Sequence, residues 1–130
     1  MSNREILRLA ATAAGMLDQL GWGFDSDIPY YLGDPKQPAP RYWNPLADDG
    51  AALRLANLLK INVLHMSHLC ENYWIEAGIG ASWLAQERVS ESDVHTAVRR
   101  AIVRAAAEIG KFTERLSHEG PGLSTAASPP

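Results

Sequence analysis

The stretch that decides the fold runs from residue 73 to residue 116 and reads YWIEAGIGASWLAQERVSESDVHTAVRRAIVRAAAEIGKFTERL. In its first part Tyr73, Ile75 and Ala77 alternate with Trp74 and a glutamate, a period of two that is typical of a strand. Gly78-Ile79-Gly80 then favours a turn, and a second strand-like run follows. This pattern predicts an antiparallel hairpin with one face on a core and the other partly in water.

The second part of the same stretch predicts the longest helix. Ser90 and Asp93 give a capping signal ahead of it, and apolar residues then recur at helical spacing. We expect this helix to span Ser92 to Ser117. Its apolar stripe comprises Val94, Ala97, Val98, Ala101, Ile102, Ala105, Ile109, Phe112 and Leu116.

Two further helices and a strand are predicted upstream. Ser2 and Glu5 have the spacing of a capping box, which predicts a helix from Asn3 to Leu20 that Gly21 terminates. The Ala- and Leu-rich run after Asp48 and Asp49 predicts a second helix to about Lys60. Ile61 to Met66 is apolar and β-branched, as a buried strand is.

The segment from Trp22 to Pro45 predicts a long loop, because five prolines interrupt it. It carries six of the ten aromatic residues, so we expect it to pack on something rather than to act as a free linker. Arg41 to Trp43 is a candidate edge strand. Two interpretations stay open: the rings close the core, or some of them contact a partner, for which the candidates are Tyr30, Tyr31 and Trp43.

Length predicts one domain, and the helices and strands described above make it an α+β domain, with three helices packed on a short antiparallel sheet over residues 1–118. Residues 119–130 are expected to form a disordered tail.

The overall charge and the single cysteine limit the partner and the compartment. The chain has 130 residues, 46% of them hydrophobic, and a formal net charge of −3. This negative charge argues against nucleic acid as the main partner. The lone Cys70 cannot form an intramolecular disulfide, and the N-terminus resembles neither a signal peptide nor a membrane span. We therefore expect a cytoplasmic protein that does not enter the membrane.

No sequence motif indicates catalysis, and we expect neither cofactor nor metal. His65, His68 and Cys70, with His95 further on, contain metal-ligating groups but lack the paired spacing of a zinc site. Asp48 and Asp49 are explained by helix capping. The sequence therefore favours a non-enzymatic role.

A cluster of three arginines on the last helix, Arg99, Arg100 and Arg104, is a second candidate contact. These residues fall near one another on a helix and carry charges that suit phosphates or an acidic partner. The alternative is a solvated face whose charges pair with acidic neighbours.

The order of these elements resembles the phage ABA-sandwich domain family, small proteins of tailed bacteriophages and prophages. The resemblance covers about residues 3 to 116 and depends on the Trp43 to Asp49 lead into the second helix, the hairpin containing Tyr73 and Trp74, and the run from Ala101 to Ala106. It implies a helix-sheet sandwich, a phage or prophage origin and a bacterial host cell. It implies no catalytic residues.

Together these features predict a small phage or prophage accessory protein that binds a bacterial protein and inhibits a host defence system, as anti-CRISPR proteins do. Asp25, Asp27 and Asp34 would then imitate nucleic-acid charge. The alternative is a small-molecule or nucleotide-binding domain with a pocket between the aromatic loop and the sheet, lined by Trp43, Trp74 and His65. A homodimer formed through an exposed strand edge also stays open.

Overall fold

The computed structural model describes residues 2–33, 41–67, 73–89 and 93–127, with the backbone alone at Ser67 and beyond residue 117. Several residues on which the sequence analysis drew lie outside these ranges or are described by backbone alone. They are Asp34, Pro35, Pro38, Pro40, His68, Cys70, Ser90 and the side chains of the expected tail.

The described elements form three helices and two antiparallel sheets, which confirms the predicted α+β class. In chain order they are α1 (Asn3–Ala14), a short 3-10 helix (Leu17–Gln19), β1 (Leu20–Gly21), β2 (Tyr30–Tyr31), α2 (Asp49–Leu59), β3 (Asn62–Ser67), β4 (Tyr73–Ile79), β5 (Ser82–Arg88) and α3 (Val94–Ala127). Strands β1 and β2 pair with each other, and β3, β4 and β5 form a sheet in that order. Within the described ranges, no helix has the apolar length that a membrane crossing requires.

Helix α1 ends earlier than the predicted Leu20. Its N-terminus is as expected, because the Ser2 side chain accepts a hydrogen bond from the Glu5 amide at 3.2 Å. Its C-terminus lies at Gly15, whose φ of 71° is the left-handed conformation that terminates helices. Gly21 instead belongs to β1, so the prediction that Gly21 ends the helix was wrong. The apolar spacing continued past the glycine that stops the helix.

The caps of the other two helices follow the sequence signals. Asp48 accepts a hydrogen bond from the Gly50 amide at 3.0 Å and begins α2. Asp93 accepts one from the His95 amide at 3.0 Å, and its pKa is lowered, chiefly by the hydrogen bond from the Thr96 hydroxyl. Helix α3 continues to Ala127, past the predicted end at Ser117, whereas the division into a domain and a disordered tail stays a prediction.

Helix α3 lies at the centre of the molecule, between α1 on one side and the three-stranded sheet on the other. Small residues permit this: Ala101, Ala105 and Ala106 are fully buried. At Gly110 the α3 backbone approaches α1 so closely that an added Cβ would lie 1.9 Å from the Leu9 carbonyl oxygen. The two helices therefore meet almost backbone to backbone.

The sheet presents one face to α3 and the other outward, as the alternation predicted. Ile75 and Ala77 are fully buried, and Ala85 lies opposite Ala77 on the neighbouring strand. On the other face Leu64 and Trp83 are exposed. The β3 and hairpin boundaries agree with the predictions to within two residues at each end. The prediction that β3 is a buried strand was wrong, because β3 lies at the edge of the sheet and Asn62, Leu64 and His65 are exposed.

Candidate contact surface

The loop after α1 is built around a small ladder, although the sequence predicted a loop without strands before Arg41. Leu20 pairs with Tyr31, and Gly21 pairs with Tyr30. The Tyr30 ring lies so close to Gly21 that a Cβ at position 21 would stand 2.6 Å from it, so a larger residue there would displace the ring. The ring thus covers the backbone of β1 and fixes the hairpin formed by residues 20–31.

A third segment joins this hairpin across the gap in the described chain. The Tyr31 amide donates to the Arg41 carbonyl at 2.8 Å, and the Trp43 amide donates to the Pro29 carbonyl at 3.0 Å. Tyr30 and Tyr42 form an isolated antiparallel bridge between these two contacts. The expected edge strand at Arg41 to Trp43 is therefore present as a single bridge.

Arg4 of helix α1 anchors the connection between β1 and β2. Its Nη1 donates to the carbonyl oxygens of Gly23 and Ser26, each at 2.8 Å. Its guanidinium also stands 5.3 Å from the centre of the Trp22 ring, a cation–π contact. The partly buried Arg4 guanidinium thus holds this connection in a defined conformation. The sequence pattern alone did not predict that contact.

The exposed apolar side chains of this region form what we call the aromatic hairpin surface, defined as Phe24, Tyr31, Leu32 and Tyr42. Phe24 is fully exposed, Tyr42 is 60% exposed and Tyr31 is 36% exposed. The Arg41 guanidinium lies 5.7 Å from the centre of the Tyr31 ring. Large apolar groups held in water on a fixed backbone mark surfaces used for binding. Phe24 and Tyr42 were missed as site residues because nothing in the sequence separates a protruding ring from a packed one.

Trp43 lies elsewhere, and its position corrects the expectation that it contacts a partner. It is only 4% exposed and belongs to the hydrophobic core with Ile75 and Ala106. The same backbone path that exposes Tyr42 turns Trp43 inward. Tyr30 is half-buried against Gly21, so of the three predicted aromatic contacts only Tyr31 lies exposed at the surface.

The three arginines of the predicted cluster, Arg99, Arg100 and Arg104, are engaged in ion pairs within the chain. The Arg99 side chain is 14% exposed, donates from Nε to the Leu46 carbonyl at 2.9 Å and pairs through Nη1 with Asp49 at 2.6 Å. Arg100 and Arg104 both pair with Glu87 of β5. These contacts fasten α3 to the start of α2 and to the sheet, so Arg99 is not presented to a partner, and Arg100 and Arg104 are presented only in part.

The residues of the alternative pocket do not come together. Trp43 is in the core, whereas Trp74 lies on the outward face of the sheet and donates to Glu76 Oε1 at 3.2 Å. His65 is exposed, stacks on the Tyr73 ring at 5.9 Å between centroids and has its Nδ1 against the Tyr73 hydroxyl. These three residues therefore do not line one cavity.

Among the described residues there is no group of three or more metal-capable side chains. His95 is exposed in the first turn of α3, and Asp48 and Asp49 serve as a cap and an ion-pair partner. Asp48 and Asp49 thus have structural contacts that account for them.

No protein-family model, curated protein or solved structure matches this chain. The structure alone therefore defines the class of this protein, which is a small α+β domain with an exposed aromatic surface. The resemblance to the phage family stays an expectation.

Proposed function

We propose that this protein acts by binding another protein through the aromatic hairpin surface, without catalysing a reaction. The observation that carries the proposal is the full exposure of Phe24 on a connection that Arg4 fastens to helix α1. A large side chain on a preorganised backbone loses little conformational entropy on binding, which is why such residues dominate binding energies.

The charges around Phe24 indicate the chemistry of the partner. Asp25 and Asp27 are exposed within the same connection, so the projecting ring is flanked by carboxylates. A complementary surface offers an apolar pocket for the ring and basic groups at its rim. A protein that itself binds nucleic acid has such basic groups, which is the class of partner that mimicry of nucleic-acid charge implies.

The resemblance to the phage ABA-sandwich family suggests where to look for that partner. We propose a phage or prophage accessory role in a bacterial cell, with a host defence protein as the bound component. The small size of the chain and the lack of a catalytic motif in its sequence support an inhibitor that acts by occupying a surface.

Affinity capture tests this proposal. The tagged chain is expressed in a bacterial host, and proteins that co-elute are identified and quantified by mass spectrometry. We expect one bacterial protein in a stoichiometric amount with the wild type, and about a tenfold lower amount with the double variant Phe24→Ala/Tyr42→Ala.

The matched control is Leu58→Ala, which removes an exposed apolar side chain from α2, away from the hairpin. Equal capture by wild type and control is expected. Capture that the double variant retains in full would refute the aromatic hairpin surface as the contact, and elution of the wild type alone would refute the bacterial-protein partner.

A further inference from the structure

A second surface feature lies where the end of the β4–β5 hairpin meets α3. It is a groove of about 580 Å³. Its apolar walls are Ile79 and Leu84 from the hairpin and Ile109 and Phe112 from α3. Phe112 and Ile79 are exposed, so these walls stand open to water. The volume falls within the range of sites that hold small ligands, and such sites are mainly apolar with a few polar groups.

The polar groups of the groove are unequal in their pairing. Lys111 Nζ is paired with Glu108 Oε1 at 3.0 Å, so its charge is compensated. Arg115 also lines the groove but makes no hydrogen bond or ion pair within the described part of the chain. Ser82 adds a hydroxyl from the hairpin side. The groove therefore combines apolar walls with the guanidinium of Arg115, a cation that has no partner among the side chains that the structure describes.

We propose that this groove binds a long-chain monocarboxylate, with the hydrocarbon chain along Ile109 and Phe112 and the carboxylate on Arg115. A guanidinium and a carboxylate form paired, charge-assisted hydrogen bonds, and burying the chain removes apolar surface from water. The whole protein carries a net charge of −3, so general electrostatics favour a cation. Tighter binding of the anion than of the cation would therefore have to come from the local charge of Arg115 and not from the net charge of the protein.

The test is isothermal titration of the full chain with laurate and with dodecyltrimethylammonium, each below its critical micelle concentration. The two probes share a hydrocarbon chain and differ in the sign of the head group. We expect laurate to bind with one-to-one stoichiometry at about 10–100 µM and at least about tenfold more tightly than the cation.

Three variants assign the binding to the groove. Arg115→Gln is expected to remove most of the preference for laurate, and Phe112→Ala to weaken both probes. Arg54→Gln removes an exposed arginine of α2 and is the matched control, which should leave both affinities unchanged. Thermal melting of each variant confirms that it is folded.

Four outcomes overturn the proposal. The first is binding of the cation as tight as that of laurate, and the second is no laurate binding up to about 1 mM. The third is laurate affinity that neither Arg115→Gln nor Phe112→Ala changes. The fourth is a dimer in light scattering that Phe112→Ala converts to a monomer, which would assign the groove to a second copy of the chain.

Discussion

The contact between α1 and α3 and the aromatic hairpin surface use residue size in opposite ways. In the helix pair Ala10 and Ala11 of α1 are fully buried, and Gly110 of α3 comes so close to α1 that an added Cβ would lie 1.9 Å from the Leu9 carbonyl oxygen. At the hairpin two large aromatic side chains are exposed, Phe24 fully and Tyr42 to 60%. The helix contact therefore has no room for a side chain at Gly110, whereas the hairpin surface has apolar area that folding does not bury.

This difference separates stability from recognition within one small domain. Close packing makes the free energy of unfolding sensitive to a single added methyl group at the helix contact. Exposed rings contribute little to that free energy, because they remain in water in the folded state. Substitutions in the two regions should therefore change different measurements.

The largest effect is expected from Gly110→Ala. In most helices this change is stabilising, because alanine has the higher helix propensity. Here the new Cβ would lie 1.9 Å from the Leu9 carbonyl oxygen, so α1 has to move. We expect a loss of about 3 kcal/mol in the free energy of unfolding, measured by urea denaturation.

Gly23→Ala is the control in the hairpin region. Its Cβ would meet Ser26 Cβ at an ordinary 3.6 Å, and its φ is not positive. The expected change is within about 0.5 kcal/mol. Equal losses from the two glycine variants would contradict the contrast between the regions.

A smaller loss is expected from Glu87→Gln, which tests the attachment of α3 to the sheet. Glu87 is 14% exposed and pairs with both Arg100 and Arg104. Its carboxylate is thus largely removed from water, and the two guanidinium groups balance its charge. We expect a loss of about 1 kcal/mol. Glu108→Gln breaks the more exposed pair with Lys111 and should cost under about 0.5 kcal/mol. The prediction fails if the order of the two losses is reversed.

The pH dependence should show a still smaller contribution from Glu5. The hydrogen bond from Arg8 lowers the pKa of Glu5 below 4.5. A lowered carboxyl pKa stabilises the folded state at neutral pH, and that stabilisation is lost as pH falls through the folded-state pKa. Because this side chain is partly exposed, the contribution is expected to be under about 1 kcal/mol.

The measurement is the difference in unfolding free energy between wild type and Glu5→Gln at neutral pH and again well below pH 4.5. Wild type should be the more stable at neutral pH, and the gap should close in acid. A gap that widens in acid would show that the sign is wrong.

The smallest effect on stability is expected at the hairpin surface itself. Phe24→Ala and Tyr42→Ala each remove a ring that is mostly in water, so each should change the free energy of unfolding by less than about 0.5 kcal/mol. Chemical denaturation gives this value directly. A loss of about 2 kcal/mol or more would mean that the rings support the fold rather than a contact.

The fold class, the caps of α1 and α2, and the hairpin were predictable because local patterns determine them. Ser2, Asp48 and the alternation around Ile75 each act on neighbours within a few residues. The end of α1 was less predictable, since Gly15 and Gly21 are equally suited to terminate a helix and the apolar spacing extends beyond Gly15.

The candidate surface could be predicted only in part, because long-range contacts define it. That Trp43 turns inward while Tyr42 stays exposed depends on the hydrogen bonds of residues 41–43 with the hairpin. The fixed shape of the Phe24 connection depends on Arg4, which lies on another element. The arginines of α3 were recognised as a cluster, but their partners Glu87 and Asp49 are distant in sequence.

Hydrogen–deuterium exchange of the chain alone and in complex with the captured bacterial protein tests the central claim most directly. We predict that binding slows amide exchange in residues 22–33 and 41–43 and leaves exchange in α2 and at the β4–β5 turn unchanged. Slowed exchange confined to α2 or that turn, with residues 22–33 unaffected, would contradict the account.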